Sequence, residues 1–167
     1  MIKIIFISAL VLSSFIGQVA YAENTEDVIK YRKNIMKAIG SHISIIAANL
    51  KGKVSINEDI LPHSKSILLT LSSININKTF PVNSGPNNSN NTKSLENIWI
   101  EKDLFSNAMK DSVEKAENLV MAAESGDKKN IAKSLGALGK TCGSCHNKFR
   151  KKKNQKPYNT FFYICII

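Results

Sequence analysis

Residues 128–152, KKNIAKSLGALGKTCGSCHNKFRKK, decide how this chain folds. Ile131, Leu135, Leu138, Cys142, Cys145 and Phe149 recur at alternating spacings of four and three, the inward seam of a helix in a bundle. Two members of that seam also belong to Cys142-Gly143-Ser144-Cys145-His146. Cys-x-x-Cys-His is the attachment pattern of a c-type haem. Its two thiols add to the vinyl groups of the porphyrin edge, and the adjacent imidazole reaches the iron as an axial ligand. On a helix, Cys142, Cys145 and His146 leave neighbouring turns on one side, so one porphyrin can meet all three. Cysteines in the core seam put the haem inside the bundle.

The same five residues admit other readings: a redox cysteine pair, half of a zinc site, or a structural disulfide. Zinc needs a second ligand pair, and the remaining histidines and cysteine, His42, His63 and Cys165, do not form one. A thioredoxin-like pair belongs at a strand-to-helix junction of a βαβ pattern, which the chain lacks.

Working outward, three more amphipathic segments emerge, and no alternating strand competes with them. Ser125-Gly126-Asp127 is a tight connection, with Gly126 ending one helix and Asp127 capping the next. The helix before it is expected over Leu95–Glu124, with Trp99, Phe105, Met109, Val113, Ala116 and Val120 inward. Phe80–Ser94 reads as a loop rich in Asn, Ser, Gly and Pro. A helix over Asp59–Lys78 carries Ile60, Ile67, Leu68, Leu71 and Ile74, with Asp59 as its cap and Pro62 tolerated in its first turn. The first helix is expected over Thr25–Leu50, closed by Lys51-Gly52-Lys53 with glycine as the left-handed cap.

The N-terminus points to the same chemistry. Met1-Ile2-Lys3 starts basic, Ile4–Ile16 is apolar, and Ala20-Tyr21-Ala22 fits a small-x-small cleavage pattern. The expectation is a signal peptide over 1–22, cleaved after Ala22. The apolar run is short for a bilayer span. Export to the periplasm of a Gram-negative-like cell would bring the chain to the compartment where c-type haem is attached. About 145 residues remain, enough for one domain with a single core.

The full chain is formally +10, and the leader contributes only Lys3. Much of the excess lies in Lys148, Arg150, Lys151, Lys152, Lys153 and Lys156. Such a run is a solvated face, a surface for an acidic redox partner, or a contact with an anionic membrane surface. Nucleic acid is not expected for an exported chain without a binding module.

Read together, these features resemble the class II c-type cytochromes, cytochrome c′ and cytochrome c-556. The likeness rests on Tyr31-Arg32-x-x-x-Met36 with Gly40, Phe80-Pro81, Ile98-Trp99, and Thr141-Cys142-Gly143-Ser144-Cys145-His146-x-x-Phe149-Arg150. The haem motif near the C-terminus sets it apart from class I cytochromes. The resemblance implies an all-α, antiparallel four-helix bundle over 23–153, often a homodimer, with one covalent haem c between the first and last helices. It implies thioethers at Cys142 and Cys145, His146 as proximal ligand, and Met36 facing the distal side of the iron.

Met36 then either ligates the iron, as in c-556-type members, or only blocks the site, as in c′-type members; a plain core methionine is the third reading. A His146–Met36 pair suits a one-electron carrier, the preferred reading of the sequence, because methionine ligation favours ferrous iron and neither redox state needs much rearrangement. A five-coordinate iron under an apolar distal pocket would instead bind NO or CO. A peroxidase-like enzyme is not expected, since nothing polar near Met36 would serve as acid or base. Arg32, one turn before Met36, is either a haem-propionate partner or a solvated surface residue. Arg150 is a tuning group beside the proximal imidazole or a surface residue. His42 and His63 are expected as surface or half-buried imidazoles. The apolar tail at 154–167, with Cys165, departs from the family pattern and is expected to be a poorly ordered extension.

Overall fold

The computed structural model describes residues 24–152; the expected leader with its cleavage after Ala22 and the 154–167 extension lie outside them. Six α-helices run in order: α1 Thr25–Leu50, α2 Ile60–Ser72, α3 Ile76–Thr79, α4 Asn97–Ile100, α5 Lys102–Ser125 and α6 Lys128–Phe149. The four long ones, α1, α2, α5 and α6, close into a ring in which each packs on the next and α6 returns to α1. This is the antiparallel four-helix bundle that the seam of α6 implies. Ile46, Ile67, Leu119 and Leu138, one from each long helix, are fully buried and form its tightest layer.

The ends of α1 follow the sequence closely. Asn24 accepts a hydrogen bond from the Glu26 N–H at 3.0 Å, satisfying one of the donors that a helix start leaves open. At the other end Gly52 takes φ +67°, the Gly52 N–H reaches the Asn49 carbonyl, and the Lys53 N–H reaches that of Ala48. That paired pattern stops the helix while using up its last acceptors. Gly126, at φ +70°, ends α5, and the Asp127 carboxylate accepts from the N–H groups of Lys129 and Asn130 to start α6.

Several expectations need correction. The helix expected over Asp59–Lys78 stops at Ser72 and restarts as α3. Ser73 turns its hydroxyl onto the Thr70 carbonyl and Asn75 caps the Lys78 N–H, so local side-chain bonds replace the ladder. Asp59 makes no capping bond and instead ends a 3-10 turn, Asn57–Asp59. The helix expected over Leu95–Glu124 breaks at Glu101, which leaves helical geometry at φ −109° and ψ 50°. There Ile98 takes the core position, while Trp99 is half-buried and donates its indole N–H to the carbonyls of Phe80 and Pro81. Finally, α6 ends at Phe149 rather than Lys152. Arg150 turns extended and pairs antiparallel with Ser94, flanked by Leu95 N–H to Phe149 carbonyl and Lys151 N–H to Lys93 carbonyl bonds.

Candidate haem site

Where the tight layer ends, the bundle opens. A cavity of about 370 Å³ lies between α1, α5, α6 and the 80–94 loop, within the size range of small-molecule and cofactor sites. Cys142, Cys145 and His146 line it from α6, and Met36 and Arg32 line it from α1, so all five residues singled out in the sequence share one cavity. Met36 is half-buried on the wall, outside the packed core cluster.

The interior of the cavity is apolar. Ile39 and Leu71 contribute from α1 and α2, Met109 from α5, and a ladder of three phenyl rings runs alongside. Phe80 meets Phe105 edge-on at 4.9 Å, and Phe105 meets Phe149 edge-on at 5.2 Å, the arrangement aromatic quadrupoles favour. The rim is cationic, with Arg32, Lys33, Lys37, Lys93 and Arg150. Among the described residues no aspartate or glutamate lines the cavity, and His146 is its sole imidazole.

Arg32 is no solvated surface residue. It is 3% exposed, although it lies on a helix and carries a full charge. Its guanidinium donates to the Ser84 hydroxyl and carbonyl, each at 2.7 Å, and to the Thr92 hydroxyl. It also lies over the Phe80 ring, 5.1 Å from the centroid. Burial pulls its pKa down to about 10. Two turns earlier on α1, Glu26 accepts from Ser89 and Asn91, and these hydrogen bonds hold its carboxyl below the usual range. Together the two side chains pin the long loop to α1, which places Thr92, Lys93 and Ser94 on the cavity wall. The sequence carried one hint of this: Arg32 falls between Val28 and Ile39 on an otherwise apolar face.

Burial pushes the Cys145 thiol up to about 11, with Cys142 adding to the shift, so Cys145 carries its proton at neutral pH. Arg150 is half-buried on the rim, and burial lowers its pKa as well. His42 and His63 lie outside the cavity and pair with each other.

A family model described as cytochrome c′ matches residues 27–150. The chain belongs to the cytochrome c′ family. A cytochrome c′ from Pararhodospirillum photometricum is 32% identical over 126 residues, covering 75% of this chain and 98% of that one. The structure of cytochrome c prime from Shewanella frigidimarina is similar at a TM-score of 0.70 and 26% identity, over 78% of this chain and 98% of that chain. A nitric oxide complex of a cytochrome c prime variant from Alcaligenes xylosoxidans has the same fold, with a TM-score of 0.67 and 21% identity over 78% and 98% of the two chains.

The cofactor of a cytochrome c′ is a covalently attached haem c, and this site fits one. The apolar interior suits the macrocycle. The cationic rim suits two propionates, and the thiol pair with its adjacent imidazole suits the vinyl edge and the iron.

Proposed function

We propose that this cytochrome c′ is a binder of small uncharged gases, NO or CO, working in the periplasm after export with its 1–22 leader removed. Cys142 and Cys145 hold the cofactor by adding their S–H bonds across its two vinyl double bonds, and His146 supplies the proximal imidazole. When bound, the haem supplies an iron whose remaining axial position can take a diatomic ligand. Met36, on the wall of the same cavity, would narrow access to the iron without ligating it. Arg32 and the lysines of the rim would hold the propionates. A second copy of the chain and an acidic reductant complete the picture, the latter drawn to the cationic rim.

The observation that carries this reading is the wall formed by Met36, Ile39 and Leu71. It offers a neutral ligand an apolar wall in a cavity lined by neither carboxylate nor spare imidazole, so an uncharged gas enters without a desolvation cost that a charged substrate would meet. The same lining carries no acid–base pair for peroxide chemistry. The relative solved with nitric oxide bound shares this fold.

A second reading, a His146–Met36 electron carrier, is favoured by the thioether of Met36 lying on the wall of the cavity that His146 also lines. The optical spectrum of the ferric protein separates the two, compared with Met36→Ala. A high-spin spectrum in the parent, with CO taken up on reduction, is expected. A near-infrared sulfur-to-iron charge-transfer band that vanishes in Met36→Ala would overturn the gas-binding reading in favour of the carrier.

A further inference from the structure

His42 on α1 and His63 on α2 face each other away from the haem cavity, with Nδ1 to Nδ1 at 2.8 Å. Their rings are 4.9 Å apart and inclined by 38°, and both are half-buried at the seam of the two helices. The geometry points to a second metal site on this protein: a two-imidazole site for a divalent copper ion.

Metal–imidazole bonds run about 2.0 Å, so two nitrogens 2.8 Å apart subtend roughly 90° at a shared ion. That is the cis angle of a square-planar or tetragonal centre, the preference of copper(II) and, more weakly, nickel(II). A tetrahedral zinc ion would need the nitrogens about 3.3 Å apart, farther than this pair stands. Among divalent first-row ions copper also binds nitrogen ligands most strongly.

The protonation state favours binding too. Burial, then the proximity of His63, holds the pKa of His42 below its usual value, so its ring is neutral at pH 7. In the hydrogen-bonded pair one ring donates its Nδ1–H and the other accepts. Copper needs both Nδ1 lone pairs, so the donor ring moves its proton to Nε2. The proton stays on that ring, so the exchange itself releases none. Acid competes for the same lone pairs and expels the metal.

No third His, Cys, Asp or Glu gathers at the pair among the described residues. The remaining coordination positions would fall to water. The proposal is independent of how the haem iron is used.

The test adds one equivalent of copper(II) to the full haem-loaded protein at pH 7, followed by desalting and electron paramagnetic resonance. An axial copper signal is expected, separate from that of the ferric haem, and its pulsed spectrum should count two imidazoles. The chain has three histidines and His146 lines the haem cavity, so a two-imidazole count in the unmodified protein already identifies the pair. His42→Gln and His63→Gln should each lose the signal with an unchanged haem spectrum, and acidification should release copper from the parent. Copper lost on desalting, copper that stays bound in acid, a spectrum without imidazole nitrogen, or a copper signal that either substitution leaves unchanged would each overturn the assignment.

Discussion

The two ends of the bundle use the same four helices in opposite ways. At the closed end Ile46, Ile67, Leu119 and Leu138 meet with no exposed surface, and the fold behaves as any well-packed core. At the open end the seam of α6 continues in step, and Cys142 and Cys145, half-buried against the core, also line a cavity. Periodicity alone does not distinguish the two ends; what distinguishes them is whether the space between the helices is filled by protein or left for a cofactor.

The sharpest way to break that contrast is to shorten one side chain at each end. Leu138→Ala should cost about 3 kcal/mol in denaturant unfolding of the haem-loaded protein, since neither the transferred methyls nor the space they leave is compensated. Met36→Ala should cost roughly 1 kcal/mol or less, because Met36 is half-buried on a wall, while it should speed CO uptake by the reduced protein. Equal losses of stability at both ends would mean that Met36 packs as core and that the contrast is false.

A smaller effect tests what holds the open end in shape. Arg32→Gln removes donors from Ser84 and Thr92, and charged hydrogen bonds of this kind are each worth about 2 kcal/mol. The net loss should stay near that figure, because burying the guanidinium is itself unfavourable. Limited proteolysis should find new cleavage within residues 82–91 of the variant and none at the closed end. An unchanged digestion pattern would show that the loop holds its place without Arg32.

The smallest effect lies at the α1–α2 seam. His42 has a folded pKa below its unfolded value of 6.5, so the unfolded chain binds the proton more readily. Stability is therefore full above pH 6.5 and falls as pH drops below it toward the lowered folded value. Thermal midpoints should decline modestly from pH 7 to pH 5, and His42→Gln should flatten that decline. A slope that survives the substitution assigns it to other groups.

These differences also explain what could be read in advance. The long helices, the glycine stops at Gly52 and Gly126 and the Asp127 cap were legible because each depends on residues a few positions apart. Cys142, Cys145, His146 and Met36 were legible by motif and likeness, and the cavity assembles them. The breaks at Ser73–Asn75 and Glu101 were not legible, because the apolar repeat continues through both. Nor were the partners of Arg32, Ser84 and Thr92, which lie 52 and 60 positions away in a stretch with no period of its own. The His42–His63 pair was missed for a similar reason: each histidine looks unremarkable on its own helix, and only the packing of α1 on α2 brings the nitrogens together.

Trp99 is the chain's only tryptophan, and it is anchored to the carbonyls of Phe80 and Pro81, where the long loop leaves α3. Phe80, the residue it grips, lines the haem cavity. A porphyrin absorbs where indole emits, so energy transfer to the cofactor darkens this one fluorophore whenever the loop is seated and the haem is in place. The molecule thus carries a native optical gauge of its own assembly, read without a label and confined to the open end.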